Sequence, residues 1–313
     1  MFITSTPPRL VIVGATGWYG KTLVHEYALA YGKKATAENL LLYASRASLL
    51  KLDVEGRSLE LDVADLAEAP RRSLHDFDGL LWYAFILKNK LPLIGAKAYR
   101  SANDGIARNV FGCLNANPHL RTVFISSGAA YGLDGCPAYE DNPYAHLKIL
   151  YERELARRGP LVTLYPYATL GKYVPDHRSF AAASFIHQAI TTGTIVIEAK
   201  MNIVRSYGSV HDFSRLLVRL YDRPDWTSGE VPASIVPVTH TLALNQLAYE
   251  VSAAIGRDIK IVTSTEIEAP ASVYMASNYS YGAQLSRFGL APTSLAQQLR
   301  HMSEGRAFLL GNE

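Results

Sequence analysis

The stretch VIVGATGWYGKT, residues 11–22, limits the fold of this chain more than any other segment. An apolar, β-branched run from Leu10 to Val13 leads straight into glycines at 14, 17 and 20. From Lys21 to Ala30 the pattern becomes helical, with Leu23, Tyr27 and Leu29 among the apolar positions and Gly32 as the C-terminal stop. A strand that turns directly into a helix aims the helix's N–H groups and positive dipole end at whatever lies above the turn. Gly14 permits the tight turn, Gly17 lets an anionic group approach the backbone, and Gly20 lets helix and strand pack closely. A glycine-rich turn with no ligand is the bland alternative. The strand before it and the helix after it favour dinucleotide binding.

The first half of the chain alternates apolar strands with helical segments. LVIV is followed by LLLY (40–43), SLELDV (58–63), GLLWYAF (79–85), TVFISS (122–127) and LVTLYP (161–166), with helices over 21–31, 96–117 and 144–158. This predicts an α/β fold, a mostly parallel sheet covered by helices on both faces. After Gly171 the pattern changes. GKYVPDHRS reads as a loop, 180–192 as a helix, TIVIEA and SIVPV as isolated strands, and SLAQQLRHMSEG as a C-terminal helix. Residues 1–170 are therefore expected to form a dinucleotide-binding domain, and 171–313 a smaller mixed α/β lobe interleaved with it.

Composition removes several classes of function. A chain of 313 residues, 49% of them hydrophobic, buries a sizeable core. The net charge of +3, without a basic run, argues against nucleic acid as a partner. Cys113 and Cys136 offer neither a disulfide framework nor a metal cluster, so no metal is expected. No apolar run reaches membrane-spanning length, and MFITSTPPRL lacks a signal pattern. The expectation is a soluble, cytoplasmic protein without a membrane partner.

Cofactor choice is read where the second strand ends. A carboxylate there would accept from a ribose 2′-hydroxyl, whereas an arginine accommodates a 2′-phosphate. LLLYA runs into Ser45 and Arg46, with no acid until Asp53. This hydroxyl and guanidinium favour NADP(H), with NAD(H) still open and a solvated surface arginine as the plain alternative. Asp62, at the end of the third expected strand, is placed to accept from the adenine amine or to cap the following turn.

The candidate chemistry lies in NPYAHLKILYERELAR. Tyr144 and Lys148 are four apart and so share a helix face. An ammonium beside a phenol favours the phenolate, which lets tyrosine exchange a proton with a carbonyl or alcohol. Ser127 follows TVFIS and can donate to the same oxygen. A capping serine and a surface tyrosine–lysine contact are the structural alternatives.

Taken together, these segments resemble an extended short-chain dehydrogenase/reductase of the NAD-dependent epimerase/dehydratase kind over nearly the whole chain. GATGWYG matches the GxxGxxG turn, FISSGAAYG matches "SSxxVYG", and PYAHLK matches "PYxxSK". DGLLWYAF resembles "DxVxHxAA", retaining Asp78 and Ala84 with Trp82 in place of the histidine. TLYPYATLG resembles "RPxxxxG" with Tyr165 in place of the arginine, and RSYGSVHD resembles "RxFxxVxD". The resemblance implies a Rossmann-type doubly wound sheet with a substrate lobe, and a catalytic set of Ser127, Tyr144 and Lys148. It further implies that Asn103 supports the proton relay and Arg205 meets a substrate diphosphate. Cofactor contacts are implied for Thr16, Trp18, Tyr19, Val63, Tyr83, Ala84, Phe85 and Tyr167, besides the glycines, Ser45, Arg46, Asp62, Tyr144 and Lys148.

Extra acid–base residues separate the members of this family. The 4,6-dehydratases carry Asp–Glu after the catalytic hydroxyl, where this chain has Gly128–Ala129. The 3,5-epimerising reductases use a cysteine, where Ala129 stands, and a later histidine with which neither His177 nor His187 aligns. The minimal set left implies NADPH-dependent reduction of a nucleotide-linked 4-keto-(deoxy)sugar. Such a step belongs to the synthesis of deoxysugar or cell-surface polysaccharide precursors, lipopolysaccharide among them. A 4-epimerase with bound NAD and a non-catalytic NADPH sensor remain as alternatives. The expected partners are the nucleotide sugar and, as an open option, a second copy of the chain.

Overall fold

The structure, a computed structural model, describes residues 6–305 except 134, 177–178, 224–225, 227–228, 257, 264–268 and 277–279. His177 of the expected loop therefore lies outside the described residues. In chain order the first half contains β1 (Leu10–Val13), α1 (Trp18–Asn39), β2 (Leu40–Ala44), β3 (Ser48–Val54), β4 (Arg57–Asp65), β5 (Gly79–Trp82), α2 (Leu91–Ile94), α3 (Ala96–Ala116), β6 (Arg121–Ile125), α4 (Pro143–Ala156) and β7 (Leu161–Leu164). The second half contains β8 (Ala168–Leu170), α5 (Ala181–Thr192), β9 (Thr194–Ile197), β10 (Met201–Ser209), α6 (Val210–Leu220), β11 (Ser234–Ile235), β12 (His240–Ala243), α7 (Leu244–Ile255), β13 (Lys260–Thr263), β14 (Ala269–Tyr274), α8 (Tyr281–Arg287) and α9 (Leu295–Glu304).

The chain forms two compact units. One runs up to Tyr165 and takes in Ser214–Ile235; the other comprises Pro166–Phe213 and the chain from Val236 onward. The first unit is built on an eight-stranded sheet of order β11-β7-β6-β5-β1-β2-β4-β3. Every neighbouring pair is parallel except β3 with β4. This is the doubly wound α/β arrangement, with the crossover point where β1 lies between β2 and β5. All of β1 is buried, as a central parallel strand covered on both faces must be. Trp82, Phe124, Tyr43, Tyr99, Leu147 and Tyr151 pack together in the core of this unit.

The structure departs from the sequence reading at several element ends. Helix α1 begins at Trp18 rather than Lys21; it breaks at Gly32 (φ 84°, ψ 163°), as expected, then resumes to Asn39. The expected strand 79–85 stops at Trp82, because the Tyr83 and Ala84 amides both turn to donate to the Val13 carbonyl, at 2.8 and 3.0 Å. The expected strand 58–63 is the middle of β4, which extends from Arg57 to Asp65. Strand β3, not expected at all, pairs antiparallel with β4 through a tight turn at Glu55 and Gly56, both at positive φ.

In the second unit β10 is central. It pairs antiparallel with β12 and parallel with β14 and β8, while β9 and β13 form a separate parallel pair. No helix among the described residues is long and apolar enough to cross a membrane.

Candidate active site

The glycine turn is built as a cradle. Gly14 has φ +95°, and a Cβ there would lie 2.6 Å from the Ala84 backbone nitrogen. At Gly20 a Cβ would come within 2.3 Å of the Gly14 carbonyl oxygen, so the third glycine sets the contact of α1 with the turn. At Gly17 a Cβ would meet only the Gly14 oxygen, at 3.3 Å. The space above Gly17 is thus left open by the protein while the other two positions are filled by it. No side chain caps the N-terminus of α1, whose first residues are Trp18 and Tyr19. Thr16 is exposed beside them, and Tyr19 packs edge-on against Tyr83, with ring centroids 6.4 Å apart. This geometry suits an anionic group at the helix start.

At the end of β2, Ser45 and Arg46 are exposed, in a bend between β2 and β3. Asp62 is exposed within β4 and Val63 beside it is buried. The residue that caps the following turn is Asp65, whose Oδ1 accepts from the Ala67 amide at 2.9 Å. Among the described residues no group of three or more His, Cys, Asp and Glu side chains could hold a metal ion.

Helix α4 carries the candidate chemistry. Asn142 caps it by accepting from the Ala145 amide at 3.2 Å, and Pro143 opens its first turn. That start places Tyr144 in the first turn and Lys148 one turn further along. Lys148 is only 3% exposed, and its Nζ donates to the Ile125 carbonyl at 2.6 Å, two residues before Ser127. The same nitrogen lies 4.0 Å from the Phe85 ring centroid, 5.0 Å from Phe124 and 5.9 Å from Tyr144. Burial pushes the Lys148 ammonium down to about 7, and the charge of Glu152 opposes part of that shift. Ser127 is buried in the turn after β6, where its Oγ accepts from the Ala129 amide at 3.2 Å; its own proton stays available to donate.

Asn103 on α3 is 1% exposed and acts through the backbone. Its Oδ1 accepts from the Ile86 amide at 2.8 Å and its Nδ2 donates to the Tyr99 carbonyl at 3.1 Å. It thereby pins the segment carrying Ala84 and Phe85 to α3. Trp82, in the place of the resembling pattern's histidine, donates from Nε1 to the Ala84 carbonyl at 2.8 Å. Its ring stacks on Tyr151 of α4, with centroids 5.6 Å apart.

Two features escaped the sequence reading. Glu152 lies one turn beyond Lys148 on α4 and accepts a hydrogen bond from the Tyr165 hydroxyl. Burial raises its carboxyl above the usual range, and the Tyr165 bond offsets part of that rise. The four-residue spacing from Lys148 was the available signal. The contact of Phe85 with Lys148 had no such signal, since 63 positions separate them in the chain.

The second unit holds the other two expected residues. Arg205 on β10 donates through Nη1 to the carbonyls of Val204 and Ser272, at 2.9 and 2.6 Å, and through Nη2 to the Ser272 hydroxyl at 2.9 Å. Tyr167 packs on Tyr274, with ring centroids 4.6 Å apart.

Comparison with known proteins fits this geometry. Residues 10–231 match the model of the NAD dependent epimerase/dehydratase family. No curated protein sequence matches the chain. Among solved structures, the chain is similar to TunA, a NAD dependent NDP-hexosamine 5,6-dehydratase involved in tunicamycin biosynthesis, at 15% identity over 97% of this chain and 98% of that one, with a TM-score of 0.69. It is similar to the UDP-N-acetylglucosamine 4-epimerase of Methanobrevibacter ruminantium M1 at 17% identity over 96% and 99% of the two chains, with a TM-score of 0.67. The ADP-L-glycero-D-manno-heptose-6-epimerase of Helicobacter pylori is similar at 13% identity over 97% and 98%, with a TM-score of 0.67. Identities this low speak to the shared fold. The family match covers most of the chain and includes the glycine turn and helix α4, so the chain belongs to the NAD dependent epimerase/dehydratase family and is an NAD(P)-dependent enzyme of the extended short-chain dehydrogenase/reductase type.

Proposed function

We propose that this chain is a ketoreductase that uses NADPH to reduce a nucleotide-linked 4-keto sugar. The reading rests above all on the minimal catalytic set. Tyr144 and Lys148 stand on α4, Ser127 lies on the adjoining turn, and the next two positions are Gly128 and Ala129. A dehydratase or multi-site epimerase must move further protons, and glycine and alanine cannot carry them.

The open space at Gly17 and the exposed Ser45–Arg46 bend fit a dinucleotide with a 2′-phosphate. When bound, the dinucleotide supplies a hydride to the keto carbon. As negative charge grows on the keto oxygen, Tyr144 gives it a proton while Ser127 donates a hydrogen bond that holds it in place. Lys148, as the ammonium, lowers the cost of the phenolate left behind and would hold the nicotinamide ribose. In the second unit, Arg205 keeps donors beyond those used on Val204 and Ser272, and a planar guanidinium suits a diphosphate. That unit is accordingly read as the substrate lobe.

The cofactor preference has a direct test. Arg46→Ala should weaken NADPH binding by about 1–3 kcal/mol, the scale of a charged hydrogen bond, and leave NADH almost unaffected. Equal losses for both cofactors would remove the case for a 2′-phosphate, and NAD tightly held by the purified protein would favour a 4-epimerase.

A second test reads the lysine. With Lys148 at about 7 in the cofactor-free protein, its amine is largely neutral in mildly alkaline solution. The proposed role requires the ammonium, so NADPH binding at about pH 8 should take up a large fraction of a proton, and little at about pH 6. Calorimetry in buffers of different ionisation heat measures the uptake. It should vanish in Lys148→Met; uptake that persists in that variant would mean another group is titrating.

A further inference from the structure

We propose that Phe85 is an aromatic stopper on the catalytic lysine: its ring covers the approach to the Lys148 ammonium, and the nicotinamide half of the dinucleotide engages Lys148 only after that ring swings aside. The inference rests on the reading above, in which Lys148 holds the nicotinamide ribose.

The argument starts from what surrounds the Lys148 Nζ. An ammonium has three N–H donors. One is spent on the Ile125 carbonyl at 2.6 Å. The face of Phe85, 4.0 Å away at its centroid, takes a second, as a cation–π contact when the lysine is charged. Phe124 closes another side at 5.0 Å. Two vicinal ribose hydroxyls need at least one more donor and room beside it. Phe124 is fully buried in the core and Ile125 is held in strand β6, so neither can yield. Phe85 is only half-buried. Tyr144, half-buried as well, lies farther off at 5.9 Å, so Phe85 is the ring whose movement opens the nitrogen.

The backbone beneath Phe85 is fixed on both sides. The Ala84 amide donates to the Val13 carbonyl at 3.0 Å and the Ala84 carbonyl accepts from Trp82 Nε1 at 2.8 Å. The next amide, Ile86, donates to Asn103 Oδ1 at 2.8 Å. Opening is therefore a side-chain rotation rather than a loop movement. The closed ring meets Tyr144 edge-on at 5.4 Å and lies 6.4 Å from Tyr99 and 6.3 Å from Tyr151. Moving it frees the side of Lys148 that its face now covers. In the resembling pattern this position is an alanine, which has no ring to move. The adenine half of the cofactor, which Ser45, Arg46 and Asp62 would hold, would have no part in this step. Binding should proceed from the adenine end, with Lys148 engaged second.

The test compares NADPH and NADH with ADP, the part common to both, on wild type and Phe85→Ala. Removing the ring should tighten NADPH about tenfold, equivalent to about 1.4 kcal/mol, and speed its association, with ADP affinity unchanged. Phe85→Leu, which keeps bulk without a π-face, should fall between the two and keeps the test available if the alanine variant folds poorly. Tighter binding of the whole cofactor alone cannot arise from a damaged fold. Equal changes for NADPH and ADP, or weaker NADPH binding with ADP unchanged, would overturn the stopper. Failure of wild type and variants alike to bind NADPH, NADH or ADP would instead overturn the cofactor reading on which it rests.

Discussion

Tyr144→Phe is expected to slow single-turnover oxidation of NADPH by about a hundredfold or more, the usual cost of losing a positioned general acid. The substitution keeps the ring that meets Phe85 edge-on at 5.4 Å and removes only the hydroxyl. Fold and NADPH affinity should therefore survive, which confines the effect to the proton. Ser127→Ala should cost less, because a hydrogen-bond donor is lost while the proton source remains. The comparison is made with a nucleotide-linked 4-keto sugar in excess over enzyme. Wild-type rates in Tyr144→Phe would remove Tyr144 from the mechanism.

A large loss of stability is expected from Gly14→Ala. Two penalties coincide there: φ of +95° is strained for any L side chain, and the new Cβ would lie 2.6 Å from backbone nitrogen of Ala84. That nitrogen cannot retreat, since it donates to the Val13 carbonyl at 3.0 Å. Strain and overpacking together should cost about 3 kcal/mol or more. Gly32→Ala is the matched control, with φ +84° and no atom within 4 Å of the added Cβ. It should lose about 1–3 kcal/mol, the backbone share alone. Denaturant midpoints of the two variants measure the difference; equal losses would show that the approach of Ala84 does not constrain the turn.

Much of the first unit is legible in local pattern. A buried parallel strand reads as an apolar run, and β1 and β5 are such runs. Strand β3 shows where local reading stops short. Its alternation of exposed and buried residues and the Glu55–Gly56 turn are hairpin signals that follow directly on the Ser45–Arg46 bend. In the second unit β10 is buried only toward its C-terminal end, so MNIVRSYGS has no clean period of two. The motif it contains was readable while the strand was not. At the site, the four-residue spacing put Tyr144 and Lys148 on α4, and the helix does carry both. What covers Lys148 is another matter. Phe85 reaches it through packing between segments far apart in the chain, and Asn103 fixes that segment from a third element. Periodicity does not encode such contacts; they follow from the closure of the sheet and its helices.

The central claim, that this site transfers a hydride to a keto sugar and protonates the resulting oxygen, is tested most directly by isotope transfer. NADPH carrying deuterium at the transferred position is mixed with enzyme and a nucleotide-linked 4-keto sugar, and the product is weighed by mass spectrometry. The account predicts one deuterium on the sugar for each NADPH oxidised, at the former keto carbon. A product without deuterium, or a sugar isomerised with no net oxidation of NADPH, would contradict it.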